Sequence, residues 1–257
     1  MIPKIIHYTW FSDEPYPLYI NECIESWQKH LPEYEFVLWD SNKILNIENL
    51  FMQQAIFEKK WAFASDFVRL FAVYNYGGIY LDTDVFVCKS FNELLVHNCF
   101  IGRESSFHLV GREICTFLSS HCFGAEPKNG FIKKCLDYYD GRPFLLSKNK
   151  ELKNELRLDL TLLPYIQAMI AVELGWNWSH KNNSKIVTKE LTVFPSYYFD
   201  PMKINSKSFC KHLALGNWRE SWTQQEKITL KYKIEWRIIK VLEKILWKFS
   251  YIIIKVK

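Results

Sequence analysis

The stretch that most constrains the fold runs from Ala62 to Cys88 and reads AFASDFVRLFAVYNYGGIYLDTDVFVC. Its first half places apolar residues at helical spacing and stops at Gly77-Gly78, which predicts a buried helix ending in a tight turn. A short apolar run of strand type, Ile79 to Leu81, then leads to Asp82-Thr83-Asp84. The sequence therefore predicts a pair of carboxylates at the mouth of a buried strand.

Asp82 and Asp84 would point to opposite faces of a regular strand, so both reach one ligand only where the strand ends and the backbone turns. A divalent cation explains the pair, since Mg²⁺ and Mn²⁺ take carboxylate oxygens, keep open positions and bridge to a diphosphate. A solvated Asp-x-Asp turn is the alternative. The preceding helix adds Asp66 and Arg69, which are three residues apart and therefore share a helix face. They are predicted to act together in the site, and an ion pair on the helix surface is the alternative.

The run SDFVRLFAVYNYGGIYLDTDV resembles the signature of sugar-nucleotide glycosyltransferases of the DXD-containing, sugar-binding class. This class includes yeast outer-chain-initiating α-mannosyltransferases, bacterial capsular polysaccharide glycosyltransferases and, more distantly, the clostridial glucosylating toxins. The helix, the Gly-Gly turn and the DXD motif occur in the family's order and at its spacing. Weaker similarity extends to IPKIIHYTW, FGAEPKNGFIKKCLDYY and HLALGNW, so the resemblance spans roughly residues 1–222.

Strand and helix patterns alternate along the first part of the chain. Ile2 to Trp10 has the pattern of a first strand, residues 16–30 that of a helix, and Glu35 to Trp39 that of a second strand. This alternation predicts an α/β domain, and 257 residues suffice for one large domain with an appendage. Together with the resemblance, it predicts a GT-A-like (Rossmann-like, nucleotide-binding) domain over residues 1–222, with a mixed sheet flanked by helices, followed by a tail over 223–257.

The ends of the first two strands are the predicted nucleotide side of the site. Ligands of α/β sheets collect beyond the carboxyl ends of strands, which makes His7, Thr9 and Trp10 candidates for contact with a nucleotide. The resemblance implies that Trp10 stacks on the base; an aromatic residue of the core or rim is the alternative. Asn42 lies in the polar turn after the second strand and is a candidate for contact with the ribose or the base. An ordinary turn residue is the alternative.

The resemblance also implies roles in donor binding and catalysis. It assigns the donor sugar and ribose hydroxyls to Asp66 and Arg69 and places Ser65 and Tyr80 in the same cofactor-binding site. Together with the metal-binding acids Asp82 and Asp84, Asp66 and Arg69 are the predicted catalytic residues.

A histidine near the end of the similar region is predicted to complete the metal site. Relatives have a His followed five and six residues later by Ser and Trp, and His212, Asn217 and Trp218 match that spacing. A neutral imidazole is a sound third ligand for Mn²⁺, and Asn supplies an oxygen where relatives have Ser. An alternative alignment uses Ser221-Trp222.

The predicted reaction is the transfer of a hexose from a nucleotide sugar, UDP-hexose by analogy with bacterial relatives, to a saccharide acceptor with Mn²⁺ or Mg²⁺ as cofactor. Retention of the anomeric configuration and a role in capsular or surface polysaccharide synthesis are implied by the resemblance. Thr161 to Pro164 occupies the place where relatives carry a Thr-Gly-Pro-like stretch, so the residues that contact the acceptor are not assigned from the sequence. A nucleotide-sugar hydrolase and a catalytically silent sugar-binding protein of the same fold are the alternatives.

The cysteines and the first residues of the chain indicate the cellular compartment of the protein. The seven cysteines are scattered without CxxC spacing, which favours reduced thiols over a disulfide framework or a zinc site. The opening Met1-Ile2-Pro3-Lys4 leads directly into a short strand pattern and not into the long apolar segment of a signal peptide. These features predict a cytoplasmic protein.

The last segment, Glu226 to Lys257, holds nine Lys or Arg against three Glu, so the basic excess of the chain lies there. Apolar residues at helical spacing, among them Ile234, Ile238 and Ile245, alternate with a lysine-rich face. This composition predicts a basic amphipathic helix on an anionic membrane, at the inner face of the plasma membrane, where a lipid-linked acceptor would lie. A helix packed on the core or on a dimer partner is the alternative. Nucleic acid is not an expected partner, because no nucleic-acid module accompanies the charge.

Overall fold

A seven-stranded mixed sheet forms the centre of the computed structural model, which describes residues 1–179 and 186–214. Its strand order is β2-β1-β3-β8-β5-β10-β9. The strands of the chain are β1 (Ile5–Thr9), β2 (Glu35–Trp39), β3 (Gly78–Leu81), β4 (Val85–Val87), β5 (Cys99–Arg103), β6 (His108–Val110), β7 (Glu113–Cys115), β8 (Leu118–Ala125), β9 (Ile186–Val187), β10 (Thr192–Phe194) and β11 (Cys210–His212). The helices are α1 (Leu18–His30), α2 (Leu50–Phe57), α3 (Trp61–Tyr76), α4 (Gly130–Asp137), α5 (Asn154–Arg157) and α6 (Leu163–Glu173).

The direction of the strands places one edge of the sheet where ligands are expected. β1 pairs in parallel with both β2 and β3, so the strand order reverses at the boundary between β1 and β3. β8 runs antiparallel between β3 and β5, which makes β5 parallel to β3. In α/β sheets, ligands bind beyond the carboxyl ends of the strands at such a reversal point. The DXD motif follows β3 at this point.

Helix α3 and strand β3 have the form that the central stretch predicts. The face of α3 from Phe63 to Val73 is almost wholly buried, and the helix ends at Gly77, which has a φ of 67°. Gly78 follows with a φ of 101°, and a Cβ there would lie 2.7 Å from the carbonyl oxygen of Ile5. Only glycine allows the chain to leave the helix this sharply and enter the sheet directly beside β1.

Two hydrophobic cores cover the faces of the sheet. The first contains Tyr80 of β3 with buried residues of α2, α3, α4 and α6. The second contains Ile79 and Leu81 of the same strand, Trp27 of α1 and buried residues of β4 and β11. Since alternate residues of β3 enter different cores, the strand before the DXD motif is held on both sides.

A small second sheet joins the end of the described chain to the DXD motif. β11 pairs antiparallel with β4, and His212 lies opposite Val85. The backbone N–H of Leu213 also donates to the carbonyl of Asp84, at 3.0 Å. This pairing carries His212 to the end of β3.

The predicted architecture, a mixed sheet flanked by helices with the DXD motif at a strand end, is confirmed. Met1–Ala214 forms one unit of the chain, and the second unit, Leu215–Lys257, lies outside the described residues. The boundary at residue 222, the amphipathic tail, Asn217, Trp218 and the alternative Ser221-Trp222 therefore stay predictions. Across residues 1–179 and 186–214, every helix falls short of the length and hydropathy required to cross a membrane.

Candidate active site

Asp82, Asp84 and His212 converge at the carboxyl end of β3. One ligand atom from each lies within 4.8 Å of the others, and Nε2 of His212 is 3.1 Å from Oδ1 of Asp84. All three side chains keep partial contact with solvent, with exposed fractions between 15% and 26%. Two carboxylates and one imidazole form a donor set that suits Mn²⁺ or Mg²⁺. The structure thus brings together the three residues predicted as metal ligands.

The charge state of His212 follows from the two acids beside it. Burial lowers its pKa, but the charge and hydrogen bond of Asp84, with a further contribution from Asp82, outweigh burial and raise the pKa to about 9. His212 therefore holds a proton, and its positive charge offsets negative charge on the neighbouring carboxylates. A bound cation would take over that role and displace the proton, because imidazole ligates metals in its neutral form.

His121 of β8 supports the imidazole of His212 from one side. The two rings stack with centroids 4.4 Å apart and planes at 20°, and Nε2 of His121 lies 3.1 Å from the carbonyl of Phe199. Burial and the neighbouring His212 lower the pKa of His121, so it packs as a neutral ring. The sequence contains no local signal for this residue, because its role depends on the position of β8 beside β3.

Arg69 is a buried link between the two acids of the site. Its Nη2 lies 3.3 Å from Oδ1 of Asp66 and 3.2 Å from Oδ1 of Asp82. It also donates through Nη1 to the carbonyl of Ser120, through Nε to the carbonyl of Ser65 and through Nη2 to the hydroxyl of Ser65. Every donor nitrogen of Arg69 thus contacts protein, and only 5% of the residue is exposed. The interpretation as a surface ion pair is wrong, since both side chains are buried. Arg69 positions two carboxylates, and its predicted contact with sugar hydroxyls stays a prediction.

Asp66 is buried beside Arg69, with 11% of its side chain exposed. Burial raises the pKa of Asp66 to about 7, against the charge of Arg69, and the charge of Asp82 raises it further. The backbone N–H of Leu163, at the start of α6, donates to the same carboxylate. This residue belongs to the segment Thr161 to Pro164, for which the sequence did not assign the acceptor contacts. In the structure, the segment places the N-terminus of a helix at the site. Pro164 was the available signal, since proline at this position marks the start of a helix.

A chain of hydroxyl groups connects β1, α3 and β3. Oγ1 of Thr9 lies 2.8 Å from Oγ of Ser65, which lies 2.9 Å from the hydroxyl of Tyr80. The Tyr80 hydroxyl donates to Oδ1 of Asp82 at 2.9 Å. Thr9, Ser65 and Tyr80, all predicted near the nucleotide, therefore lie together and orient the first acid of the DXD motif.

Trp10 and Asn42 lie at the ends of two neighbouring strands. The backbone N–H of Trp10 donates to the carbonyl of Trp39, which joins the two loops. The Trp10 ring is partly exposed and contacts Tyr16 edge to face, with centroids 5.0 Å apart. Asn42 is exposed in the turn after β2. Both positions stay predicted contacts of the base or ribose.

His7 is buried and packed by protein groups, and its predicted contact with the nucleotide stays a prediction. It is 1% exposed, Nδ1 accepts a hydrogen bond from Nε1 of Trp39 at 3.2 Å, and Nε2 donates to the carbonyl of Gly77 at 2.8 Å. His7 shares a strand face with Thr9, but it lies two residues before the strand end and under the end of α3. The strand pattern alone did not show how far along β1 the ligand edge begins.

The stability of the protein should depend on pH through His7. Burial lowers the pKa of His7 to about 4, below the ordinary value. The unfolded chain therefore binds more protons than the native one between pH 4 and 6.5, and the free energy of unfolding falls as the pH drops through this range. We expect the parent to lose about 2 to 3 kcal/mol more than His7→Gln between pH 7 and 4.5 in urea unfolding.

His30→Gln is the matched control for this measurement, because it also removes one histidine, at the partly exposed C-terminal end of α1. It should keep the pH dependence of the parent. A His7→Gln variant with the same pH dependence as the parent would show that His7 titrates normally in the fold.

The segment that carries the acids of the candidate active site is similar to a known protein family. Residues 17–101 match the family model described as "Glycosyltransferase sugar-binding region containing DXD motif". The matched segment contains Asp66, Arg69, Asp82 and Asp84. The predicted resemblance to DXD-containing glycosyltransferases is thereby confirmed.

Two similar curated proteins come from Schizosaccharomyces pombe. Inositol phosphoceramide mannosyltransferase 3 is 32% identical over 142 residues, which cover 54% of this chain and 39% of the relative. Inositol phosphoceramide mannosyltransferase 1 is 28% identical over 142 residues, which cover 52% of this chain and 42% of the relative. The chain thus spans about two fifths of the length of each of these relatives.

Two similar solved structures are also glycosyltransferases. The PaToxG glycosyltransferase superposes with a TM-score of 0.46 and 21% identity over 67% of this chain and 69% of that chain. A glycosyltransferase involved in the glycosylation of the major capsid of PBCV-1 superposes with a TM-score of 0.43 and 12% identity over 87% of this chain and 96% of that chain.

Proposed function

We propose that this chain, which carries the sugar-binding region of the DXD-containing glycosyltransferases, transfers a hexose from a nucleotide sugar to a hydroxyl group of a saccharide acceptor. The observation that carries the proposal is the convergence of Asp82, Asp84 and His212 within 4.8 Å, directly beside the buried Asp66–Arg69 pair. A metal-ligand set and a sugar-facing carboxylate at one strand end are the parts that such a transfer requires.

Asp82, Asp84 and His212 would hold Mn²⁺ or Mg²⁺, and the ion, when bound, supplies positive charge to the leaving diphosphate. Arg69 keeps the Asp82 carboxylate in place from the protein side, and Tyr80 does so through its hydroxyl. Asp66 would hydrogen-bond sugar hydroxyls, and its ionised form, which dominates above the raised pKa of about 7, would favour a sugar that becomes cationic at the anomeric carbon.

UDP is the proposed carrier of the sugar, by analogy with the bacterial capsular polysaccharide enzymes that the chain resembles. The names of the two curated relatives favour mannose as the sugar, which makes GDP-mannose the second donor to test. Retention of configuration and a role in capsular or surface polysaccharide synthesis are further parts of the proposal. They rest on the resemblance alone.

The proposed acceptor is lipid-linked, and the proposed location is the cytoplasmic face of the plasma membrane. The support is the composition of Glu226 to Lys257, whose basic and apolar residues alternate at helical spacing. That segment lies outside the described residues. Its contact with an anionic membrane remains a proposal from sequence.

A thermal-shift screen of UDP- and GDP-sugars, each with and without Mn²⁺, tests the donor and the metal together. A ligand that binds only the native state at about 100 times its Kd adds about 2.7 kcal/mol to the free energy of unfolding, which raises the Tm. We expect one donor to raise the Tm only when Mn²⁺ is present. A panel in which no sugar nucleotide changes the Tm, with or without metal, would contradict donor binding.

Product analysis with the stabilising donor then separates the two alternatives. A transferase forms a glycosylated product when an acceptor is added, whereas a nucleotide-sugar hydrolase releases free sugar at the same rate with or without the acceptor. A catalytically silent sugar-binding protein shows the Tm increase and releases no nucleoside diphosphate.

A further inference from the structure

Exposed apolar side chains surround the open edge of the site. Six of them come from four segments at the carboxyl ends of the strands, and each is at least 37% exposed. They are Phe107 and Leu109 after β5, Leu162 before α6, Met202 and Ile204 before β11, and Leu213 after β11. We refer to these six residues as the apolar rim.

Two contacts hold the segment after β5 in place at the site. The N–H and hydroxyl of Ser105 both donate to the Asp200 carboxylate at 2.8 Å, which joins this segment to the one before β11. The His108 ring stacks on Phe117 with centroids 3.8 Å apart, and Phe117 contacts Tyr165 in the first turn of α6. Phe107 and Leu109 therefore lie between the segments that carry Met202 and Leu162.

The metal-binding end of the site borders the same rim. Leu213 follows His212 directly and its N–H donates to the carbonyl of Asp84. Leu162 precedes Leu163, whose N–H donates to Asp66. The rim thus extends from one end of the candidate active site to the other.

Three exposed basic residues lie beside the rim. Arg112 lies in the turn of the β6–β7 hairpin, and Lys203 and Lys207 flank Ile204; all three are exposed. The acids of the same segments are already engaged by protein groups: Glu104 by His108, Glu113 by Trp178 and Asp200 by Ser105. Apolar side chains next to lysine and arginine are the composition of a surface that lies on anionic lipid headgroups.

We infer that the apolar rim docks on an anionic lipid bilayer, so that the candidate active site faces the membrane surface. Apolar residues gathered on one exposed surface mark a binding face, and the adjacent Arg112, Lys203 and Lys207 select a negatively charged one. The inference rests on residues 104–117, 162–165 and 200–213, and it depends neither on the tail nor on the reaction. It adds an orientation of the protein on the membrane, in which an acceptor anchored in the bilayer would reach the site directly.

Environment-sensitive fluorophores on the full-length chain test this orientation. Leu109→Cys and Met202→Cys would carry an NBD label on the rim, and Val96→Cys, before the amino end of β5 and with Val96 70% exposed, would carry it on the opposite edge of the sheet. Six of the seven native cysteines are buried and Cys88 is half-buried, so the labelled parent defines the background. The probe is a phosphatidylcholine vesicle containing 30% phosphatidylglycerol.

On vesicle addition, labels at positions 109 and 202 should shift to shorter emission wavelengths and gain intensity, while the label at position 96 should not change. The shift should shrink in high salt and in Lys203→Ser/Lys207→Ser, because exposed charges are screened. Equal responses at all three positions, or a response at none while the chain sediments with the vesicles, would overturn the inference. A blue shift at 109 and 202 that appears without vesicles as protein concentration rises would assign the rim to a second copy of the chain and overturn it too.

Discussion

Asp84→Asn should abolish glycosyl transfer and leave the fold intact. The substitution removes a charged ligand from the set formed with Asp82 and His212, while the side chain keeps its size. Metal stabilisation of the leaving group is worth several kcal/mol, so a loss of about 100-fold or more in kcat is expected at saturating donor. The rate of nucleoside diphosphate release, measured with Mn²⁺ as the only divalent ion, checks this result.

Asp137→Asn is the matched control, because Asp137 is an exposed carboxylate that pairs with Lys133 on the same helix. It should keep the activity of the parent. The Tm of Asp84→Asn should fall, because the ion pair with His212 is lost, and Mn²⁺ should no longer raise the Tm in the presence of donor. Near-parental turnover in Asp84→Asn would remove Asp84 from the metal site.

The central stretch was predictable because its signals are local. Helix α3, the turn at Gly77-Gly78 and strand β3 each follow from residues within a few positions of one another, and the structure has all three. The second strand, Glu35–Trp39, was predicted with the bounds that it has. In these segments, the apolar pattern and the two glycines agree with the tertiary environment, so local preference and packing favour the same structure.

The assembly of the site depended on contacts between distant segments. His212 reaches Asp84 because β11 pairs with β4, and nothing in the three residues of β11 specifies that partner. The resemblance, and not a physical pattern, pointed to His212. For His121 and the Leu163 amide, no resemblance pointed to the residue, and both were found only in the structure.

His7 and Arg69 show a second limit of the sequence pattern. A period of two along a strand indicates which residues share a face, but not which of them lie at the open end of the sheet. His7 and Thr9 share a face; Thr9 joins the hydroxyl network, whereas His7 is enclosed by Trp39 and Gly77. Similarly, three-residue spacing on a helix predicts a shared face for Asp66 and Arg69, but their burial depends on the packing of α3 against the sheet.

Arg69→Lys should lower both activity and stability, because a planar guanidinium with five donors holds groups that a single ammonium does not reach together. Arg69 contacts Asp66 and Asp82 at 3.3 and 3.2 Å and also bonds Ser65 and the carbonyl of Ser120. Leaving buried acceptors without a donor costs about 1–3 kcal/mol, and we expect the free energy of unfolding to fall by about that amount. Activity should fall more than stability explains, since both carboxylates lose their positions.

Arg142→Lys separates this role from a general effect of arginine replacement. Arg142 also pairs with a buried acid, Asp159, at 3.1 Å, but its own side chain is 39% exposed. The variant should retain its activity and nearly all its stability, because exposed ion pairs contribute about 0–1 kcal/mol. Activity of Arg69→Lys should be measured below its own Tm, together with the Mn²⁺ concentration that gives half-maximal rate. A positioning role for Arg69 predicts a higher Mn²⁺ requirement through the displaced Asp82, whereas a purely structural role predicts a lower Tm with the parental Mn²⁺ requirement and kcat.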